Sequence, residues 1–380
     1  MKASAICKII ALTASVSMMM SGCMNAVNLK DIAVVEGMAV DTAEDKGSVE
    51  LTVQTLNAGK SASNGEAPSG NMTLNVSNKG DSIVDAVSLM PKKLSKDLFF
   101  GQTKIIILSR STAENAIKDN MDYFVRATDS RSDVAICMSE GEAKKILESK
   151  ENDSRVPGEN MLYLMKTGEE AGVSAYITTG EALNLYADKT SDLYLPVLKP
   201  DEKDKSVQTA GIGIFNGDKL ACILNDEESS GFLILKDLTK RLSVEFNDSR
   251  LGKIGVEFSN ISVKNHTGVE NSSIVFYSSI KASVVINEIE KGSTTMLEKA
   301  DLERIKEDAR EELVSRCSKA FYACRSAGSD CLRIGDCVAR DLPQTYDACQ
   351  ENWKDYYSGV KFAPSAKVEF KKLSNNSQRY

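Results

Sequence analysis

A chain of 380 residues is longer than one ordinary domain, and a composition of 42% hydrophobic and 27% charged residues supports packed cores rather than disorder. Forty-seven basic against 54 acidic residues leave a net charge of -7. That balance weighs against a nucleic-acid binder, which needs a basic surface, and against broad electrostatic attachment to anionic lipid.

The chain starts like an exported one. Lys2 and Lys8 supply positive charge, and residues 9–20 are an apolar run broken only by Thr13, Ser15 and Ser17. The run is short for a membrane span and suits the core of a signal peptide. It ends in Met20-Ser21-Gly22-Cys23. Small residues fit a peptidase groove ahead of the cut, and the Cys23 thiol is the group that would carry diacylglycerol. The segment resembles the bacterial lipobox, with Met20 where Leu is commonest. It predicts a cleaved leader over 1–22 and lipid attachment at Cys23. The alternative is an ordinary secretory leader with a chance cysteine. No second long apolar run follows, so the mature chain is expected not to span a membrane.

Residues 23–31 read as a polar, lipidated tether. Residues 32–40 are β-rich and 49–56 alternate apolar with polar, which together predict a hairpin. Residues 58–71, rich in Gly, Ser, Asn and Ala, predict an exposed loop. Four helix starts share one pattern: Ser82-x-x-Asp85, Ser111-x-x-Glu114, Ser139-x-x-Glu142 and Thr178-x-x-Glu181. Each predicts a capping box, in which the hydroxyl accepts from a free backbone N–H and the acid reaches back. Apolar runs at 104–108 and 133–138 predict buried strands between the helices, hence a sheet domain of mixed α/β or α+β type ending near Leu198.

Residues 199–205 are charged and open on Lys199-Pro200, which predicts a linker. Asn216-Gly217 between two apolar segments predicts a hairpin with a type I′ turn. Alternating runs at 242–246, 254–263 and 273–289 predict antiparallel strands. From residue 294 the period becomes helical, with Leu297, Leu302, Ile305, Ala309, Leu313, Cys317, Ala320 and Cys324 forming a stripe. Residues 360–373 predict a last strand, broken at Pro364.

Chemistry is sparse. The single histidine, His266, lies in a polar stretch read as a loop between strands, with no spaced acid or cysteine partner. There is no phosphate loop, no Gly-x-Ser-x-Gly elbow and no His-Glu-x-x-His helix. Of nine cysteines, Cys7 leaves with the leader and Cys23 is lipidated, which leaves an odd set of seven. Cys137 and Cys222 fall inside apolar strands and read as buried thiols. Cys317, Cys324, Cys331, Cys337 and Cys349 cluster late, without the Cys-x-x-Cys spacing of a zinc site. Cys317 and Cys324 lie about 10 Å apart along one helix face, too far to bond each other. Each could reach Cys331, Cys337 or Cys349 if the chain folds back, and disulfides and a packed thiol cluster both stay open.

Many weak matches in order carry a resemblance. Residues 29–41, from Leu29 to Asp41, look like an opening strand, and residues 96–107, from Lys96 to Ile107, like the next apolar strand and its lead-in. Residues 122–126, 131–134 and 140–143 follow, then 211–224 and 228–233, then Asp341-Leu342-Pro343 and residues 352–356 around the single Trp353. In these stretches the chain resembles the Ger(x)C family, the lipoprotein C subunit of bacterial spore nutrient-germinant receptors. Gln102, where the family commonly has His, and the five late cysteines depart from its pattern.

The resemblance implies an α+β fold of three consecutive domains, each a mixed β-sheet flanked by helices, behind the cleaved leader. On this chain the divisions fall at 32–198, at a linker 199–205, at a β-rich middle domain 206–255, and at a C-terminal domain 256–380 with the long helix. It also implies a non-catalytic, lipid-anchored receptor subunit on the extracytoplasmic face, in the outer leaflet of the spore inner membrane. The implied partners are the integral-membrane A and B subunits. No catalytic residue, cofactor or metal is carried over; Cys23 alone transfers. The rival is a solute-binding lipoprotein of a transporter, which requires a deep cleft between two similar lobes.

Overall fold

The computed structural model describes residues 31–371 except 44–46, 57–72, 116, 127–130, 150–156, 189, 202, 204–205 and 291–296. The leader, Cys23 and the tether up to residue 30 lie outside the described residues, as does the loop expected at 58–71.

The expected first hairpin forms from β1 (Ile32–Thr42) and β2 (Val49–Leu56), and β3 (Thr73–Gly80) extends it. Helices α1 (Ile83–Leu89) and α2 (Pro91–Leu94) lead to the short β4 (Asp97–Phe99), parallel to the start of β1. Then β5 (Ile105–Leu108), α3 (Arg110–Asn115), α4 (Ile117–Arg126), β6 (Ala135–Ser139), α5 (Ala143–Leu147), α6 (Pro157–Glu170), α7 (Thr179–Ala187) and β7 (Tyr194–Pro200) alternate along the chain. Strands β1, β5, β6 and β7 run parallel as neighbours.

The parallel centre explains the continuous apolar runs. Ile106, Leu108, Ile136 and Met138 face one core, while Ile105, Ile107, Ala135 and Cys137 face another with Met161 and Met165 of α6. A strand buried on both faces needs no polar alternation. Each such aliphatic side chain contributes about 1.5–3 kcal/mol on leaving water.

The segment 199–205 separates no sheets. Strand β8 (Val207–Asn216) pairs antiparallel with β7, and β9 (Lys219–Leu224) with β8, so one sheet of nine strands runs β3-β2-β1-β5-β6-β7-β8-β9, with β4 beside β1. After α8 (Asp226–Leu235), a second sheet forms from β10 (Arg241–Asp248), β11 (Gly252–Glu270) and β12 (Ser273–Ile289). The long α9 (Lys299–Ser326), then α10 (Ile334–Asp341), α11 (Pro343–Cys349) and α12 (Trp353–Ser358) lead to β13 (Lys361–Phe370), parallel to β12. The class is α+β as expected, built from two sheets flanked by helices. Residues 206–255 supply β8 and β9 to the first sheet and β10 to the second, so among the described residues they form no sheet of their own.

Several local expectations shift. Thr178 and Glu181 make the expected capping box. Ser82 caps α1 through the Asp85 N–H, but Asp85 reaches Asp81 N instead. The cap of α3 is Ser109, which accepts from Thr112 N, and Glu114 pairs with Arg110. Ser139 ends β6, and the first N–H groups of α5 go to the distant Asp41 carboxylate at 2.7 and 2.9 Å. The 216–217 hairpin forms, but Asn216 pairs with Lys219, so Gly217 and Asp218 make the loop and only Gly217 has positive φ. Strand β13 runs through Pro364 without breaking, because it is an edge strand and the missing N–H interrupts no inner ladder.

Candidate functional site

His266 lies within a strand rather than a loop. In β11, Ile254, Val256 and Phe258 are buried at even positions, then Ile261 at an odd one. Asn260, at φ 52, and a register shift between Ser259 and Ser262 form a bulge that absorbs the change of phase. The strand therefore continues to Glu270, and His266 is exposed, its ring stacked 4.8 Å from that of Tyr277 on β12. Among the described residues, no group of three or more His, Cys, Asp or Glu could hold a metal ion.

A polar cleft of about 810 Å³ opens at the carboxyl ends of the parallel strands, the place where open α/β sheets hold ligands. Asp41, Ser139 and Pro200 line it with Arg110, Lys144 and Lys145. Its own groups already answer one another. Arg110 pairs with Glu114 and Lys145 with Glu142, both at 2.8 Å, and Lys144 lies 3.5 Å from Glu50. Asp41 fills the α5 N-terminus, where an anion would otherwise fit. Burial holds its carboxyl above the usual range against the pull of the Ala143 and Lys144 N–H groups.

A second constellation joins the two sheets and is buried at its centre. Helix α9 ends in a Schellman motif: Ser329 N–H donates to Cys324 O at 3.1 Å and Gly328 N–H to Arg325 O at 3.0 Å. Gly328 has φ 66, and a Cβ there would lie 2.8 Å from Asn216 Nδ2. The turn delivers Asp330 into the interior, where it is 2% exposed. Its Oδ1 accepts from Ile334 N–H at 2.7 Å. Its Oδ2 accepts from Gly335 N–H at 2.7 Å and Trp353 Nε1–H at 2.8 Å. Burial pushes this carboxyl up to about 7, while those three donors pull the other way.

The first sheet meets this turn directly. Asp192, just before β7, accepts from Asp330 N–H and from Gly217 N–H, each at 2.9 Å. Asn216, at the hairpin tip, donates to Ala327 O at 3.1 Å, and Lys354 of α12 donates to Asn216 Oδ1. Tyr357 donates to Ser329 O at 2.7 Å. Lys236, beyond α8, donates to Cys331 O at 3.1 Å and lies 4.7 Å from the Tyr194 ring centre. Burial lowers its pKa. The arrangement holds two sheets in one orientation rather than presenting groups to a substrate.

The other end of α9 is pinned too. Asp248, at the end of β10, accepts from Arg250 and Leu251 N–H groups at 2.8 Å and from Arg304 Nε at 2.6 Å. Arg250 and Arg304 both pair with Asp301 in the first turn of α9. Between these anchors, α8 packs on α9 through Gly231, where a Cβ would lie 2.0 Å from Arg316 O. Phe321 of α9 stacks 4.6 Å from Phe362 of β13.

Cys137, Cys317, Cys324, Cys331 and Cys349 are buried and Cys222 and Cys337 partly so; no disulfide joins any two of these seven in the structure, and the Cys331 thiol donates to Cys324 Sγ at 3.3 Å. The sequence reading missed Asp192 and Asp330. The available signal was Gly328-Ser329-Asp330 after a helical stripe: a glycine stop followed by residues that cap the next helix.

Comparisons with known proteins cover nearly the whole chain. The family described as "Spore germination protein N-terminal domain" matches residues 25–200, and "Spore germination B3/ GerAC like, C-terminal" matches 210–373. YfkR of Bacillus subtilis (strain 168), whose description names spore germination, is 21% identical over 91% of each chain. Spore germination protein KC of the same organism is 20% identical over 88% of each, and spore germination protein B3 is 20% identical over 90% of this chain and 91% of its own. A crystal structure of the GerBC protein covers 88% of this chain and 96% of its own with a TM-score of 0.57 at 16% identity, which shows a shared fold.

Proposed function

The chain belongs to the GerAC-like family of spore germination proteins, and from that premise we propose that it is the lipid-anchored C subunit of a spore germinant receptor. The observation that carries the reading is the two family domains lying in order over residues 25–200 and 210–373. The leader 1–22 is removed, Cys23 takes the lipid, and the residues up to 31 tether the folded part to the outer leaflet of the spore inner membrane. Two facts support the anchor: the small-residue sequence before Cys23, and a family match that begins at residue 25, just beyond it. Among the described residues no helix is long and apolar enough to cross a membrane. A cysteine with two or three acyl chains anchors stably where a single chain would not.

The integral-membrane A and B subunits are the partners in this reading, and tethering raises the effective concentration at which they meet the subunit. Its part is assembly or signalling rather than catalysis. The buried Asp330 junction supports that role, because its charged groups are spent on fixing one sheet against the other. The solute-binding reading is not favoured. It needs two similar lobes about a cleft, whereas among the described residues the two sheets have nine and four strands.

Fractionation of spores and growing cells, with wild type and Cys23→Ala, tests the proposal. The wild type is expected in the spore inner membrane, and the variant is expected to be lost from it together with nutrient-triggered germination. Equal amounts in growing-cell membranes, with germination untouched, would overturn it.

A further inference from the structure

The Cys324 and Cys331 sulfurs lie 3.3 Å apart, both side chains at 0% exposure, where the end of α9 meets its returning loop. A disulfide brings two sulfurs to about 2.0 Å, so closing this pair needs only a small side-chain movement. We infer that Cys324 and Cys331 form a disulfide in the native protein, bridging the last turn of α9 to the loop that carries Asp330. The inference rests on the exported reading proposed above, because such bonds persist in oxidising compartments.

The fold sets up this pairing, with the half-buried Cys222 of β9 near enough to interact electrostatically with both thiols. The Schellman turn at Gly328 reverses the chain and returns Cys331 to the helix end it has just left. Cys317 sits two turns earlier on α9, about 10 Å along its axis. No third cysteine, histidine or acid completes a metal site here among the described residues. The Lys236 bond to Cys331 O holds the loop from its other side.

Timing follows from burial. The neighbouring Cys331 sulfur, and then burial, hold the Cys324 thiol well above its ordinary range. A dry, protonated thiol is a poor nucleophile, so the bond closes while the chain folds. One thiolate attacks the disulfide of an extracytoplasmic thiol oxidoreductase and forms a mixed disulfide. The second thiol loses its proton, and its thiolate displaces the enzyme sulfur. The oxidoreductase leaves as a dithiol with two electrons and two protons, and the subunit keeps the new S–S bond.

The test uses the full chain isolated from spores. The sample is quenched in acid, denatured, alkylated with N-ethylmaleimide without reductant, digested and read by mass spectrometry. The expected result is a peptide species joined through Cys324 and Cys331, unlabelled at both, that takes two labels after reduction. In Cys331→Ala protein, Cys324 is expected to take label without reductant. Label on both cysteines of the unreduced wild type, or either one joined to a different cysteine, overturns the inference. The same digest reads the lipid on Cys23. Lipidated Cys23 with open thiols sinks the disulfide alone; unlipidated Cys23 with a closed pair sinks the anchor alone.

Discussion

Trp353 donates its Nε1–H to Asp330 Oδ2 at 2.8 Å, and both side chains are within 3% of complete burial. The bond fastens α12, which leads into β13, to the turn that follows α9 and meets Asp192 of the first sheet. An indole is one of few side chains that fills such a site while offering a single donor. Trp353→Phe keeps most of the ring volume and removes the donor. It is expected to cost about 1–3 kcal/mol, the penalty for a buried acceptor that loses a partner. Urea unfolding checks it: a midpoint equal to wild type would mean that the bond contributes nothing.

Asp330 gives the junction a pH dependence with a definite sign. Its folded carboxyl titrates up near 7, whereas an unfolded aspartate titrates near the ordinary value of about 4. Between those values the folded chain holds the extra proton. The stability that Asp330 confers is therefore complete below about pH 4 and lost as pH rises through about 7. Asp330→Asn cannot titrate. Thermal unfolding from about pH 5 to about pH 8 is expected to show the wild type losing Tm relative to the variant. A constant difference across that range would refute the shift.

Gly231→Ala tests the contact between α8 and α9. The new methyl would meet the Arg316 carbonyl at 2.0 Å, a backbone atom that no rotamer change can remove. The helices must part, at an expected cost of about 1–3 kcal/mol or more, although alanine is the better helix former. Equal or greater stability by calorimetry would mean that the helix pair has room for a methyl group at this position.

Arg304→Ala tests the start of α9. Hydrogen bonding from Arg304, with help from the Arg250 and Leu251 N–H groups, holds the Asp248 carboxyl down at about 2. A depressed folded value adds stability above the ordinary carboxylate range, and that stability is lost as pH falls toward 2. The variant is expected to melt below wild type at neutral pH, with the gap closing in acid. A gap of the same size at both ends would show that Arg304 acts through packing of its stem alone.

Much of the architecture was legible because its signals are local. Alternation over 49–56 and the four isoleucine and leucine residues of 105–108 report burial on one face or on two, and the stripe from Ile305 to Cys324 reports a helix facing a core. Trp353 was legible through resemblance alone; its donor role was not. The late cysteines were legible as a cluster, yet which two would meet was not, because that depended on how sharply the chain turns at Gly328.

The sequence by itself determined the α+β class, most strand and helix positions, and the family to which they belong. Those follow from residue types read within a turn or a strand length. Only the tertiary structure decided that 207–224 completes the first sheet, that Asp41 caps a helix 102 residues later, and that Pro364 is tolerated on an edge. It alone brought Asp192, Asp330 and Trp353 together. A hydrogen-bonding group names no partner in the sequence. It takes whatever donor the packing of distant elements leaves beside it, and that choice is made only when a buried group must be satisfied.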